Sequence, residues 1–220
     1  LGDLALVWAD RLLVESGVTR EEFINAQSVF SDMRDELMAG QYLDVLEGAL
    51  ASTSVERSLK VARFKSGKYS IERPLHFGAS LAGRSDFYES YSKFGLPLGE
   101  AFQLRDDVLG VFGDPKTTGK PAGDDLREGK RTVLMAVAID KADATQEKVL
   151  KNGLGNPDLN ASQVEKMQEI ITQTGALAHI ELMIEELTNT SLSALNFDEI
   201  NPVGKDLLTQ LAVIATSRKI

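Results

Sequence analysis

Apolar positions along the chain recur at three- and four-residue spacing, and no segment sustains alternation with period two. The pattern predicts helices throughout and no sheet. Leu4, Val7, Trp8 and Leu12 form a stripe that closes at Gly17, with Asp3 readable as a simple N-cap. Thr19 and Glu22 are spaced as a capping box that opens a long amphipathic stretch through Phe23, Ala26, Val29, Phe30, Met33 and Leu37 toward Leu50. Ser54 is placed to cap the next helix, which carries Val61, Ala62 and Phe64 toward Tyr69 and ends in Lys65-Ser66-Gly67-Lys68-Tyr69. Leu75–Ala82, Phe87–Phe94 and Gly99–Phe112 continue the pattern until Gly113-Asp114-Pro115 stops it, because proline cannot extend the ladder.

Beyond that stop, Asp124 or Asp125 can cap an apolar helix over Thr132–Ile139, and Asn152–Asn160 reads as a loop. Ser162 and Glu165 have the spacing of a second capping box, opening a helical region toward Asn196 with a break at Gly175. Asn201-Pro202 starts the last helix, with proline at its permissive first position. No repeat and no long linker interrupts the chain. The expected architecture is therefore all-α, one domain over residues 1–220 built as a bundle of about eight or more helices.

Composition narrows the class. With 220 residues and 43% hydrophobic content, one sizeable core can form. The net charge of −9 argues against a general nucleic-acid surface. There is no cysteine, which excludes thiolate metal sites and suits a reducing compartment, so a cytoplasmic location is expected. The longest apolar run, Val133–Ile139, falls far short of the ~20 residues that span a bilayer, so no transmembrane segment is expected.

Against that acidic background, residues 102–131 stand apart. They hold six basic residues (Arg105, Lys116, Lys120, Arg127, Lys130, Arg131) and six acidic ones (Asp106, Asp107, Asp114, Asp124, Asp125, Glu128). A ligand carrying both signs fits such a balance: a diphosphate with a divalent metal, carboxylates taking the metal and lysines the phosphate oxygens. Helical spacing sets Gln103 beside Asp106 and Asp107, with the carboxylates directed to one side. An isolated Asp-Asp is usually a solvated face. Here Phe102, Leu104, Val108, Leu109 and Phe112 surround the pair, so the helix is expected to be largely buried, and buried carboxylates need partners or a metal.

The loop that follows is not a nucleotide-binding P-loop. Five residues separate Gly113 from Gly119, Pro121 follows Lys120, and no strand precedes it. Lys120 can still close over phosphates as a point charge. Lys65, Ser66, Lys68 and Tyr69 place two lysines, a hydroxyl and a phenol together; for Lys65 a phosphate role and a helix-terminal one are equally consistent with the residues. Gly40 within a helix signals close packing or ligand approach. His76 and His179 lie in apolar surroundings and read as core histidines.

Taken together these residues resemble the all-α isoprenyl diphosphate synthases, or polyprenyl synthetases, of the geranylgeranyl and farnesyl type. The resemblance rests on GDLAL at 2–6, the Gly40-Gln41…Asp44 element, FKSGKYSIERPL at 64–75, FQLRDDVLGVFGDP at 102–115, TGKPAGDDLREGK at 118–130 and the closing helix with Arg218. It covers the C-terminal two-thirds of such an enzyme. It implies a Mg²⁺-dependent prenyltransferase that ionises an allylic diphosphate, lets isopentenyl diphosphate attack, and releases a proton. It further implies that Asp106 and Asp107 hold Mg²⁺, that Gln103 faces the reacting allyl group, and that Lys65, Ser66, Lys120 and Lys130 contact the allylic diphosphate. Gln103, Lys65 and Asp106 would then be the catalytic set. A homodimer through the 3–16 and 19–50 segments and a deep apolar tunnel for the product are also implied.

Two departures accompany the resemblance. Gly110 stands where the second aspartate-rich motif usually ends in a third aspartate. A first aspartate-rich motif with paired arginines does not occur in the sequence, so the N-terminal part is expected to precede Leu1. Rival readings are a non-catalytic partner subunit of the same fold, a terpene cyclase, and a plain helical interaction module.

Overall fold

The computed structural model describes residues 1–119, 121–197 and 199–218, and Lys120 therefore lies outside the described residues. Helices account for the regular structure throughout, as the spacing predicts: α1 (Gly2–Glu15), α2 (Arg20–Ala49) and α3 (Val55–Ala62) lead into a π-helical segment, Arg63–Glu72, and directly on into α4 (Arg73–Leu81). A 3₁₀ turn at Ser85–Phe87 precedes α5 (Tyr88–Phe112), followed by the short α6 (Pro115–Thr118) and α7 (Asp124–Glu128). The chain closes with α8 (Val133–Lys141), α9 (Ala144–Gly153), α10 (Ala161–Gln173), α11 (Ala176–Ser193) and α12 (Pro202–Thr216).

Local chemistry explains most of the starts. The Thr19 hydroxyl accepts from the Glu22 amide while Glu22 accepts from the Thr19 amide at 2.7 Å, so the expected capping box is present. Ser54 caps α3 and Asn201 caps α12, both as read from the sequence. Two expected caps move. Thr132 itself caps α8, accepting from the Met135 amide at 3.2 Å, because Asp124 and Asp125 are held in α7. Asn160 and Gln163, rather than Ser162 and Glu165, make the box that opens α10. Asp3 lies inside the first turn of α1, where its charge complements the helix dipole, and Leu1 is the N-cap.

The central element is α5. Phe94, Leu98, Ala101, Leu104, Val108 and Val111 recur at steps of three and four and are fully buried. The segments expected separately as Phe87–Phe94 and Gly99–Phe112 are one helix, with Pro97 inside it. Proline removes one backbone hydrogen bond there, but burial of the flanking face holds the helix together across the gap. One apolar cluster joins α5 to α8, α10 and α11 through Leu134, Met167, Ile171 and Ile180; a second joins it to α12 through Leu98, Leu195 and Ala212. Each such fully buried side chain contributes on the order of 1.5–3 kcal/mol.

On its other side α5 meets the π segment at backbone contact. A Cβ on Gly99 would lie 2.3 Å from the Gly67 Cα, and one on Gly95 would lie 2.9 Å from the Glu72 Cα. From the opposite flank, a Cβ on Gly40 of α2 would lie 2.5 Å from the Lys65 amide nitrogen, so the glycine expected to permit close approach does so. The residues Lys65–Tyr69 do not end a helix, as the sequence suggested. They sit within a continuous helical run whose wider turn is marked by the Arg73 amide bonding to the Lys68 carbonyl, five residues back.

The α1 stripe behaves differently from expectation. Leu4, Val7, Trp8 and Leu12 are all exposed, and no residue of α1 is buried. His76 is a core histidine as read: it is buried and bonded through Nε2 to the Tyr88 carbonyl and the Ser92 hydroxyl. His179 is not; the turn of α11 that buries Ile180 leaves it on the solvent side. Among the described residues no helix is long and apolar enough to cross a membrane.

Candidate active site

Three neighbouring elements converge on one cavity of about 210 Å³: α2 through Asp44, the α3–π run through Ser58, Lys65 and Ser66, and α5 through Gln103, Asp106 and Asp107. Lys130, Arg131 and Thr132 close it from the turn after α7. Six of the seven site residues named from the sequence, Lys65, Ser66, Gln103, Asp106, Asp107 and Lys130, thus line a single pocket. The seventh, Lys120, is outside the described residues.

The glycine contacts set the register of this convergence. With the π segment against α5, the Ser66 hydroxyl donates to Oε1 of Gln103. The Gln103 Nε2 in turn donates to Oδ1 of Asp107 at 2.7 Å. Both ends of the amide are committed, so Gln103 presents a fixed face to the cavity. Gly40 and Asp44 share a face of α2, one turn apart; the close approach at Gly40 brings Lys65 Nζ within 2.6 Å of Asp44 Oδ2. Asp44 was not among the predicted site residues, although its i, i+4 relation to Gly40 carries the signal.

The two lysines grouped by sequence separate in space. Lys65 points to the cavity, whereas Lys68 bonds Glu36 of α2 at 2.7 Å, with Arg73 on the same carboxylate at 2.6 Å. Tyr69 is exposed and does not line the cavity. The wide π turn is what splits them.

The aspartate pair also divides. Neighbouring residues on a helix point about 100° apart, and the two carboxylates do not share one direction. Asp107 is buried, 5% exposed, while the Asp106 side chain is 52% exposed at the rim. Burial pushes the Asp107 carboxyl up to about 7; the Gln103 hydrogen bond opposes this, and the charges of Asp125 and Asp106 add to it. Arg218, arriving from the end of α12, pairs with Asp106 at 3.1 Å and lies 4.8 Å over the Phe102 ring. Lys130 pairs with Asp125 and, at 3.3 Å, with Glu128. Burial draws the Lys130 pKa down, but the hydrogen bonds and charges of Asp125 and Glu128 together outweigh it and the net direction is up.

The donor set suits a hard divalent cation. Among the described residues no cluster of three or more acidic or imidazole ligands forms. Mg²⁺, however, is ordinarily held by one or two carboxylates together with water and substrate phosphates. A buried carboxylate with a raised pKa and, among the described residues, only an amide partner gains most from such a cation, and Asp107 is that group. Apolar volume lies elsewhere: a groove of about 460 Å³ between α4 and α12, lined by Leu75, Phe87 and Leu208, shares no residue with this cavity.

Residues 1–171 match the family model described as polyprenyl synthetase. The chain is 35% identical over 184 residues to geranylfarnesyl diphosphate synthase of Aeropyrum pernix, covering 82% of this chain and 56% of that one. It is 29% identical over 211 residues to geranylgeranyl diphosphate synthase of Saccharolobus solfataricus, covering 92% and 61%. Among solved structures, geranylgeranyl pyrophosphate synthase from Corynebacterium glutamicum, complexed with isoprenyl diphosphate and magnesium, superposes with a TM-score of 0.96 at 41% identity, covering 99% of this chain and 62% of that one. The chain thus spans somewhat over half the length of the relatives it matches. On the match over residues 1–171, the chain belongs to the polyprenyl synthetase family.

Proposed function

We propose that this chain carries the allylic-diphosphate half of a trans-prenyltransferase active site, which condenses an allylic diphosphate with isopentenyl diphosphate to give a longer polyprenyl diphosphate. The observation that carries this reading is the Ser66–Gln103–Asp107 hydrogen-bonded row, set in one cavity with Lys65 and Lys130. Cations and carboxylates line the same cavity of about 210 Å³.

The chemistry follows from where charge develops. Breaking the allylic C–O bond leaves the electron pair on the diphosphate, and donors fixed beforehand in a low-dielectric site stabilise that charge most when it is greatest. Lys65 and Lys130 bind the phosphate oxygens in this reading, exchanging their present carboxylate partners for them. Lys120, outside the described residues, is assigned to the same group on the resemblance. Ser66 holds Gln103, and Gln103 offers its amide dipole to the allyl cation, orienting the carbon that isopentenyl diphosphate attacks. Asp106 and Asp107 are the residues that would hold Mg²⁺, which when bound supplies charge neutralisation of the leaving group.

Among the relatives and solved structures compared above, each is a prenyl diphosphate synthase, which supports the transferase reading over a cyclase or a non-catalytic subunit. The exposed stripe Leu4, Val7, Trp8, Leu12 supports assembly as a homodimer through α1 and α2. A chain without cysteine is consistent with the cytoplasm.

The test is Mg²⁺-dependent condensation of labelled isopentenyl diphosphate with allylic primers of increasing length. Asp106→Ala is expected to abolish turnover while circular dichroism keeps the wild-type helix content. Normal turnover by that variant would remove Asp106 from the site and with it this assignment.

A further inference from the structure

The cations of the cavity are not equally engaged. Lys65 is held by Asp44 at 2.6 Å, and Lys130 by Asp125 and Glu128. Arg131 lines the same cavity, yet among the described residues it makes no ion pair, and its Nε is buried with no hydrogen-bond partner. Its position is fixed from the backbone side: the Ser58 hydroxyl of α3 donates to the Arg131 carbonyl at 2.9 Å, so the residue cannot drift from the wall.

This arrangement is unfavourable on two counts. A buried donor without a partner forfeits its hydration and gains no hydrogen bond in return. In addition, Arg131 directly precedes Thr132, the N-cap of α8, where the helix dipole disfavours positive charge. An anion in the cavity reverses both terms. The lining agrees: three cations, Lys65, Lys130 and Arg131, face three carboxyl groups, Asp44, Asp106 and Asp107, and removing Arg131 would shift that balance by one charge toward repelling a diphosphate.

We infer that Arg131 is a further diphosphate-binding residue of this cavity, giving its guanidinium fork to phosphate oxygens beside Lys130. The inference rests on the diphosphate reading proposed above and adds a residue to it. Arginine suits the role because its planar donors match two oxygens at once, which a lysine cannot do.

Isothermal titration of inorganic pyrophosphate in excess MgCl₂ tests it, on the protein and its Arg131→Gln, Arg131→Lys and Lys65→Ala variants. Arg131→Gln is expected to weaken pyrophosphate binding by about tenfold or more, and Arg131→Lys to recover part of that loss, with the thermal midpoint within a few degrees of wild type. Should Arg131→Gln not fold, the Lys variant alone decides: it is expected to bind about threefold more weakly than wild type. Wild-type affinity in the folded Arg131 variants, together with weakened binding in Lys65→Ala, overturns the inference and leaves the site reading standing. No pyrophosphate binding by the unmutated protein overturns both.

Discussion

Gly110 of α5 and Asp125 of α7 occupy one another's space: a Cβ built on Gly110 would fall 2.0 Å from Oδ2 of Asp125 and 2.3 Å from its Cγ. The position where the resemblance leads one to expect a third aspartate is therefore filled by a carboxylate from a different element. Asp125 is buried, 6% exposed, and bonded to Lys130, and its charge reaches Asp107 strongly enough to raise that carboxyl. A side chain at 110 and this placement of Asp125 exclude each other.

Gly110→Ala is accordingly expected to destabilise the protein although alanine favours the helix by about 1 kcal/mol. Displacing a buried, ion-paired carboxylate costs about 1–3 kcal/mol beyond that gain. Urea denaturation monitored by circular dichroism reads the balance. A variant more stable than wild type would mean that Asp125 moves aside freely.

Asp107 gives a pH dependence with a defined sign. Its folded-state pKa of about 7 lies above the ~3.9 of an unfolded aspartate, so between those values the folded protein binds more protons than the unfolded one. This carboxyl thus contributes stability at low pH that is lost as pH rises through about 7. Asp107→Asn, of the same shape, is expected to raise the unfolding free energy at pH 8 by about 1–3 kcal/mol and to change it little at pH 4. The affinity for Mg²⁺ alone should increase from pH 6 to 8, since the cation needs the deprotonated form. Equal Mg²⁺ affinity at both pH values would dissociate Asp107 from the metal.

Much of this was legible in the chain because it is local. Capping boxes and proline positions announce themselves within four residues, and Thr19–Glu22 and Asn201-Pro202 appear where the residues put them. The cavity was legible as composition: six of seven named residues meet there. What sequence could not supply was direction. Period 3.6 does not describe a π turn, so Lys65 and Lys68 read as neighbours when the wider helix sends one to the cavity and the other to Glu36. Long-range replacements were equally hidden, since nothing in a spacing rule connects Gly110 to Asp125 or Arg218 to Asp106. The α1 stripe was seen correctly as apolar, but periodicity does not say which surface will cover it.

The glycine contact beneath the site makes a sharper demand. A methyl at Gly99 would meet backbone atoms of Gly67 at 2.3 to 2.8 Å, and backbone cannot rotate away as a side chain can. Gly99→Ala is expected to push α5 and the π segment apart, costing about 1–3 kcal/mol net of the helix-propensity gain. Because Ser66 and Gln103 bond across that seam, pyrophosphate affinity should fall in the same variant, whereas Gly78→Ala, inside α4 with open space at its Cβ, should leave that affinity unchanged and raise stability by about 1 kcal/mol. Paired measurements of unfolding and pyrophosphate binding on the two variants check both statements.

Arg105 ties the carboxylate helix to the end of the chain. Buried at 8% exposure, it donates through Nε to the Thr216 carbonyl at 2.9 Å and through both terminal nitrogens to Glu181, at 2.7 and 2.6 Å. One side chain thereby joins α5, α11 and the last turn of α12, two residues before Arg218 reaches Asp106. Removing it leaves a carbonyl and a carboxylate without their donor. Because Glu181 is partly solvated, the loss is expected at about 2–4 kcal/mol, below that of a wholly buried pair. Arg105→Met keeps the aliphatic volume and deletes only the charge and hydrogen bonds. Hydrogen exchange should then quicken selectively in the last turn of α12 while α10 stays protected, because only the former loses its anchor. Uniform quickening along the molecule would instead show that Arg105 supports the bundle as a whole and that the tail holds its place without it.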